Sequence, residues 1–222
     1  MASKPSMPKR AKVVIVDDHA IVRQGLAELI NDQPDLIAVG EADSPPAAIK
    51  VLTETKPDVA VVDITLAGGD GIELCAQIHE RWPTLAILVL SMHDESLYAE
   101  RALRAGALGY VMKQEPQQTV MAAIRRVLSG ETYLSEKMAA KLLRSFTGAR
   151  SNADAAPLER LSDRELQIFR LIGEGRSVKG IADVLCLSPK TVETHKDHIK
   201  QKLGLKTSNE LLRYAIEARP GS

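Results

Sequence analysis

Between residues 13 and 128, short apolar runs alternate with amphipathic stretches. Val13–Val16 (VVIV), Ile37–Val39 (IAV), Val59–Val62 (VAVV), Ile87–Leu90 (ILVL) and Gly109–Met112 (GYVM) are continuous rather than alternating. That pattern belongs to strands covered on both faces, as in a parallel sheet. Helical spacing between and after these runs predicts helices near 20–32, 45–55, 71–81, 95–105 and 116–129. Five strand–helix units predict an α/β fold, a doubly wound five-stranded parallel sheet over residues 11–130. Such a sheet carries its site at the carboxyl ends of the strands.

The pattern changes after Gly130. Residues 131–157 read as a linker with one helix near 135–146, capped by Ser135, with Met138, Leu142 and Leu143 on one face. Thr147 to Pro157 is small, polar and aperiodic, as a flexible connection would be. Residues 158–222 predict an all-α unit of four helices. Ser162 and Glu165 form a capping box opening the first, whose stripe is Leu166, Phe169 and Ile172, with Gly173 and Gly175 ending it. Ser177 begins a second helix carrying Ile181, Ala182 and Leu185. Ser188 caps a third with Pro189 at its first position and Val192, Ile199 and Leu203 facing inward. Thr207 and Glu210 open the fourth.

Composition sharpens this division. Aromatics are 3% of the 222 residues, so the core must be aliphatic. The formal net charge is zero, which argues against a general nucleic-acid binder. Yet residues 158–222 hold 12 Lys+Arg against 9 Asp+Glu, net +3, leaving 17 against 20, net −3, for residues 1–157. An acidic front and a basic back fit two units with different partners. Cys75 and Cys186 lie far apart in different units and read as reduced thiols. Met1 to Lys12 lacks the apolar run of a signal peptide, and no stretch approaches the ~20 apolar residues of a membrane span. These features predict a cytoplasmic protein with no membrane partner.

The residues that follow the apolar runs carry the chemistry. The first run ends in Asp17 and Asp18, the third in Asp63, the fourth in Ser91, and the fifth just before Lys113. A lone aspartate there more often caps a helix, and a lone serine or lysine is more often a solvated loop residue. The full set at matching strand ends points to one pocket. Clustered carboxylates repel, and a hard divalent cation such as Mg2+ relieves the repulsion. Lys113 would ion-pair with a phosphoryl group arriving at Asp63. Phosphoryl transfer asks chiefly for such positioning and charge neutralisation.

Val16–His19 (VDDH), Val62–Leu66 (VDITL) with Gly71, Ser91, and Gly109–Lys113 (GYVMK) resemble the receiver domain of two-component response regulators, which is flavodoxin-like. The resemblance implies that Asp63 is the phosphoacceptor for a sensor histidine kinase. It implies that Asp18, Asp63 and the backbone carbonyl of Thr65 bind Mg2+ directly and that Asp17 contributes through water. It also implies that Lys113 holds the phosphate, that Ser91 swings toward it, and that Tyr110 is the aromatic switch. Thr65 and His93 would flank the path of the attacking water. Ala67 stands where the family usually has proline, before Gly68 and Gly69. That departure bears on the lifetime of the phosphorylated state.

Residues 158–218 resemble the LuxR-type helix-turn-helix, through Leu161–Glu165 (LSDRE), Ile181–Leu185 (IADVL), Leu187–His195 (LSPKTVETH) and Lys202–Gly204 (KLG). Together with the receiver, this points to the NarL/FixJ subfamily. A recognition helix enters the major groove with its first turns on base edges. Ser188, Lys190, Thr191, Lys196 and Lys200 are candidate phosphate contacts, and Lys179 is a further backbone contact. Glu193 and Thr194 are candidate base readers. His195, near the buried face, reads as a packing or phosphate-contacting residue. Net +3 is weak for a single domain, so two copies on double-stranded DNA are expected. Leu211, Leu212 and Ala215 are candidates for a homodimer face, with core packing the alternative for some of them.

The expected function is a phosphorylation-controlled transcription regulator, with RNA polymerase as a further partner. It would not be an enzyme beyond its own phosphoryl transfer and dephosphorylation. Two other readings fit less well. A haloacid dehalogenase-like phosphatase needs two aspartates separated by one residue, and Asp17 and Asp18 are adjacent. A phosphorylation-independent protein-binding adaptor would make no use of the DNA-binding helices.

Overall fold

The computed structural model describes residues 10–66, 68–146, 157–185 and 187–218. Five parallel strands form the expected sheet: β1 (Ala11–Val16), β2 (Leu36–Ala42), β3 (Val59–Val62), β6 (Ala86–Ser91) and β7 (Gly109–Met112), in the order β2-β1-β3-β6-β7. The strand order reverses between β1 and β3, and a doubly wound sheet opens its crevice at that point.

Alternate residues of each strand enter two apolar layers. Val14, Val16, Ala60, Val62, Ile87 and Val89 pack with α2 (Pro45–Thr55), α3 (Gly71–Arg81) and α4 (Glu95–Arg104). Val13, Ile15, Val59, Val61, Leu88 and Leu90 pack with α1 (Ala20–Asn31) and α5 (Gln117–Leu128). Each fully buried Leu or Ile contributes roughly 1.5–3 kcal/mol. These two layers hold the strand ends still.

Two short strands were not expected. β4 (Thr65–Leu66) and β5 (Gly69–Asp70) pair antiparallel just beyond Asp63. Two-residue strands are too short to leave a periodic signal. Ala67, the residue in the proline position, lies outside the described residues, as do Cys186 and the polar connection 147–156.

Helix α6 (Glu136–Phe146) starts where expected, with the Ser135 hydroxyl accepting from Met138 N–H at 3.1 Å. Met138 is buried and Leu142 packs on the core, but Leu143 is 67% exposed and does not share their face. The C-terminal helices are α7 (Asp163–Gly173), α8 (Val178–Leu185), α9 (Pro189–Leu203) and α10 (Ser208–Glu217), with both capping boxes formed. Gly173 is the last residue of α7, as expected. A Cβ there would come within 2.6 Å of the Ala215 carbonyl, so it also permits close approach of α10. Gly175, at φ +79°, supplies the left-handed turn that follows.

The start of α7 sits against α4. Arg101 donates to Asp163 Oδ1 at 2.6 Å and to the carbonyls of Leu161 at 2.6 Å and Leu158 at 3.4 Å.

Candidate functional site

Parallel pairing brings the ends of β1, β3, β6 and β7 to one edge. Asp63 N–H donates to the Val16 carbonyl at 2.8 Å, and Lys113 N–H donates to the Ser91 carbonyl at 2.8 Å. These backbone bonds set Asp63 beside Asp17 and bring Lys113 across from the far strand. The Lys113 ammonium lies 2.5 Å from Asp17 Oδ2 and 2.7 Å from Asp63 Oδ2. Behind Asp63, α3 approaches so closely that a Cβ on Gly71 would fall 1.9 Å from the Asp63 carbonyl oxygen. Only glycine fits there, which gives Gly71 of the sequence motif a steric reason.

Three acids meet in this pocket as predicted. One carboxylate oxygen each of Asp17, Asp18 and Asp63, with a ring nitrogen of His19, lie within 4.8 Å of one another. Reading strand ends missed His19 as a participant. Its Nδ1 is 2.6 Å from Asp18 Oδ1, and its N–H donates to Asp17 Oδ1 at 2.9 Å.

Burial pushes the Asp63 carboxyl above the usual carboxylate range, against the pull of Lys113. For Lys113, burial works downward but the Asp63 and Asp17 carboxylates outweigh it, so its pKa stands above the ordinary lysine value. Asp63 Oδ1 is buried without a hydrogen-bond partner. An orphaned, charged oxygen in a nest of three acids is a hard donor set, and these residues fit Mg2+.

The rim of the pocket is built around His93. Ser91 is fully buried and its hydroxyl accepts from His93 N–H at 3.3 Å. Thr65 Oγ1 lies 2.9 Å from His93 Nε2. The Tyr110 hydroxyl donates to the His93 carbonyl at 2.8 Å, so the expected switch ring already points inward, 1% exposed. From the C-terminal helices, Arg170 of α7 reaches His93, with Nη1 2.6 Å from Nδ1 and against Nε2 as well. Arginine can only donate, so this contact requires an unprotonated nitrogen on the His93 ring. Burial, reinforced by the Arg170 and Lys113 charges, drives His93 down to about 3, and the ring is neutral at physiological pH. No sequence spacing points to Arg170, because its partner lies 77 residues away in another unit.

The predicted DNA surface is mostly exposed. Lys179, Ser188, Lys190, Glu193 and Thr194 face solvent, whereas Thr191, His195, Lys196 and Lys200 are half-buried. Several of these groups are engaged within α9. Ser188 Oγ accepts from Thr191 N–H at 3.0 Å and pairs with its hydroxyl at 2.7 Å. Thr194 donates to the Lys190 carbonyl at 3.1 Å. Lys196 pairs with Glu193 at 3.0 Å and Lys200 with Asp197 at 2.9 Å. On α10, Leu211 and Ala215 belong to the core, and the exposed apolar pair is Leu212 and Ile216.

This architecture and pocket define a class, and comparison with known proteins identifies it. Residues 13–125 match the response regulator receiver domain and residues 159–215 match the bacterial regulatory proteins of the luxR family. The oxygen regulatory protein NreC of Staphylococcus carnosus is 40% identical over 94% of this chain and 98% of its own. NreC of Staphylococcus aureus is 41% identical over the same shares. Among solved structures, RcsB of Salmonella typhimurium aligns over 96% of this chain and all of its own, with a TM-score of 0.71 and 27% identity. RcsB of Salmonella enterica serovar Typhimurium, bound to promoter rprA with the phosphomimetic BeF3−, covers 94% and 99%, with a TM-score of 0.66 and 28% identity. The chain belongs to the two-component response regulators that join a receiver to a LuxR-type DNA-binding domain. Among the described residues, no helix is long and apolar enough to cross a membrane.

Proposed function

We propose that Asp63 is the phosphoacceptor and that its phosphorylation controls DNA binding by α9. The observation that carries this reading is the divided state of the Asp63 carboxylate, with one oxygen held by Lys113 and the other buried without a partner. The partnered oxygen fixes the side chain. The free one can attack the phosphorus of a kinase phosphohistidine. The new O–P bond forms as the P–N bond breaks, and the histidine nitrogen keeps the electron pair. Lys113 neutralises the oxygens of the arriving group.

Asp17, Asp18, Asp63 and the Thr65 carbonyl are the residues that would hold Mg2+, which supplies further charge neutralisation when bound. Dephosphorylation is attack of water on the phosphorus with loss of the aspartyl oxygen, along a path flanked by Thr65 and His93. Ser91 answers the phosphate, and Tyr110, already inward, registers the change on the α4–β7 face. A phosphoryl group shifts this equilibrium only by its differential contacts in the two states. The Arg170–His93 and Arg101–Asp163 contacts give that equilibrium a resting arrangement.

We take residues 11–130 as the receiver, 131–157 as the connection and 158–222 as the DNA-reading unit. The protein acts in the cytoplasm, and its partners are a sensor histidine kinase, double-stranded DNA, a second copy meeting through Leu212 and Ile216, and RNA polymerase. Capture of RcsB on promoter DNA with a phosphomimetic supports the same linkage here.

Asp63→Asn tests the assignment. With a small-molecule phosphodonor and Mg2+, the parent chain incorporates phosphate on a phosphate-affinity gel and the variant does not. Labelling of the variant at the parent rate contradicts the proposal.

A further inference from the structure

The acidic pocket is not the sole place where metal-ligating side chains converge. On α9, His195 and His198 stand three residues apart and therefore share a helix face. That face meets Glu165 of α7. One donor atom from each of the three residues lies within 4.8 Å of the others. The two imidazoles stand edge to face with centroids 6.4 Å apart.

Each group has a state that suits a ligand. Glu165 is 4% exposed and pinned by the α7 capping box, where Oε2 accepts from Ser162 N–H at 2.7 Å and from Lys202 Nζ at 2.6 Å. Its other oxygen, Oε1, faces His198 Nδ1 at 4.0 Å. His195 Nδ1 is buried and has no hydrogen-bond partner. A buried ring nitrogen left unsatisfied calls for an explanation in a native fold. His198 is more than half exposed, so it can turn inward and leave a coordination position open to water.

We propose that Glu165, His195 and His198 form a second metal site, separate from the acidic pocket, for a borderline transition-metal ion of the Zn2+ type. Two imidazoles and one carboxylate favour such an ion over Mg2+ or Ca2+, which prefer all-oxygen shells. Zn–N and Zn–O bonds of about 2.0–2.2 Å bring tetrahedral donors to about 3.4 Å. The cluster must therefore contract, and the exposed His198 has room to make that movement. Lys202 opposes the ion electrostatically, because its ammonium already neutralises Glu165. An ion bound here ties α9 to α7 directly beneath the residues proposed to read DNA. The inference does not depend on phosphorylation of Asp63.

The test is a Co2+ titration of the full chain, lacking any polyhistidine tag, followed by visible absorption. Four- or five-coordinate nitrogen–oxygen sites absorb far more intensely than a six-coordinate all-oxygen site, so the two pockets are distinguishable. We expect one equivalent of Co2+ to give an intense band that Zn2+ displaces and that Asp63→Asn preserves. His198→Asn, at an exposed position, should leave folding intact and weaken binding by at least about 100-fold, the upper range for losing a mere supporting residue. Lys202→Met should tighten binding. An absorption of the weak six-coordinate kind, or an intense band unchanged by His198→Asn, overturns the proposal.

Discussion

The acidic pocket and helix α9 are built on opposite principles. Asp17, Asp63 and Ser91 are buried, fixed by strand pairing, and compensated by one ammonium at short range. On α9 the charged groups are exposed or half-exposed, and two pairs, Glu193–Lys196 and Asp197–Lys200, form within the helix itself. The first arrangement stores electrostatic energy, because desolvated charges interact strongly. The second stores little, since solvent and salt screen such pairs and they exchange readily for phosphate. A chemical step needs charges already in place, whereas a surface that meets many DNA sequences must be able to let go.

Breaking the buried side should have the largest effect. Lys113→Ala leaves Asp17 and Asp63 facing each other without their cation, and should cost roughly 3–5 kcal/mol of stability in chelator. Thermal melts should recover much of that loss on adding Mg2+, and a loss unaffected by Mg2+ would count against a metal at these acids. Gly71→Ala drives a Cβ into the Asp63 carbonyl and should cost about 3 kcal/mol by denaturant unfolding, with phosphate incorporation falling alongside.

Asp70 offers a sharper probe, because burial pushes its carboxyl from 3.8 to about 6. The folded chain then holds a proton that the unfolded chain has lost, so this group's contribution to stability falls as pH rises from 3.8 to about 6. Asp70→Asn keeps an acceptor for the Ile72 N–H and should gain on the order of 2 kcal/mol at pH 7.5, a gain that disappears below pH ~4. Melts across that pH range check the sign.

Away from the pocket the effects are smaller. Arg101→Ala should loosen the α4–α7 contact by about 1–2 kcal/mol, visible as faster hydrogen exchange at Leu161 and Asp163. Lys190→Ala should weaken binding to all DNA sequences alike and lower the salt dependence by about one phosphate contact. A change confined to particular base positions would make Lys190 a base reader.

The strand runs, the helices and the acids at the strand ends were legible because burial on two faces and helical spacing both leave periodic traces in sequence. The capping boxes at Ser162 and Thr207 were legible because local hydrogen bonds bind residues three apart. The β4–β5 hairpin was not, since two-residue strands are too short to show a period. Gly173 ends α7 where its place in the sequence indicated, but its second use, admitting α10, leaves no local signal. Leu143 matched an amphipathic face by identity but faces solvent, one position off the stripe of Met138 and Leu142. Arg170 left no trace because its meaning lies in tertiary contact with His93.

Arg101 and Arg170 make their contacts in opposite directions. One guanidinium leaves the sheet-bearing half to grip the opening of α7, and the other leaves α7 to grip His93. Cutting the polypeptide between the halves therefore parts Arg101 from Asp163 and Leu161, and Arg170 from His93. Neither fragment then reproduces the ionisation or hydration of that face in the intact molecule. Measurements made on separated halves will describe surfaces that the whole protein never presents at rest.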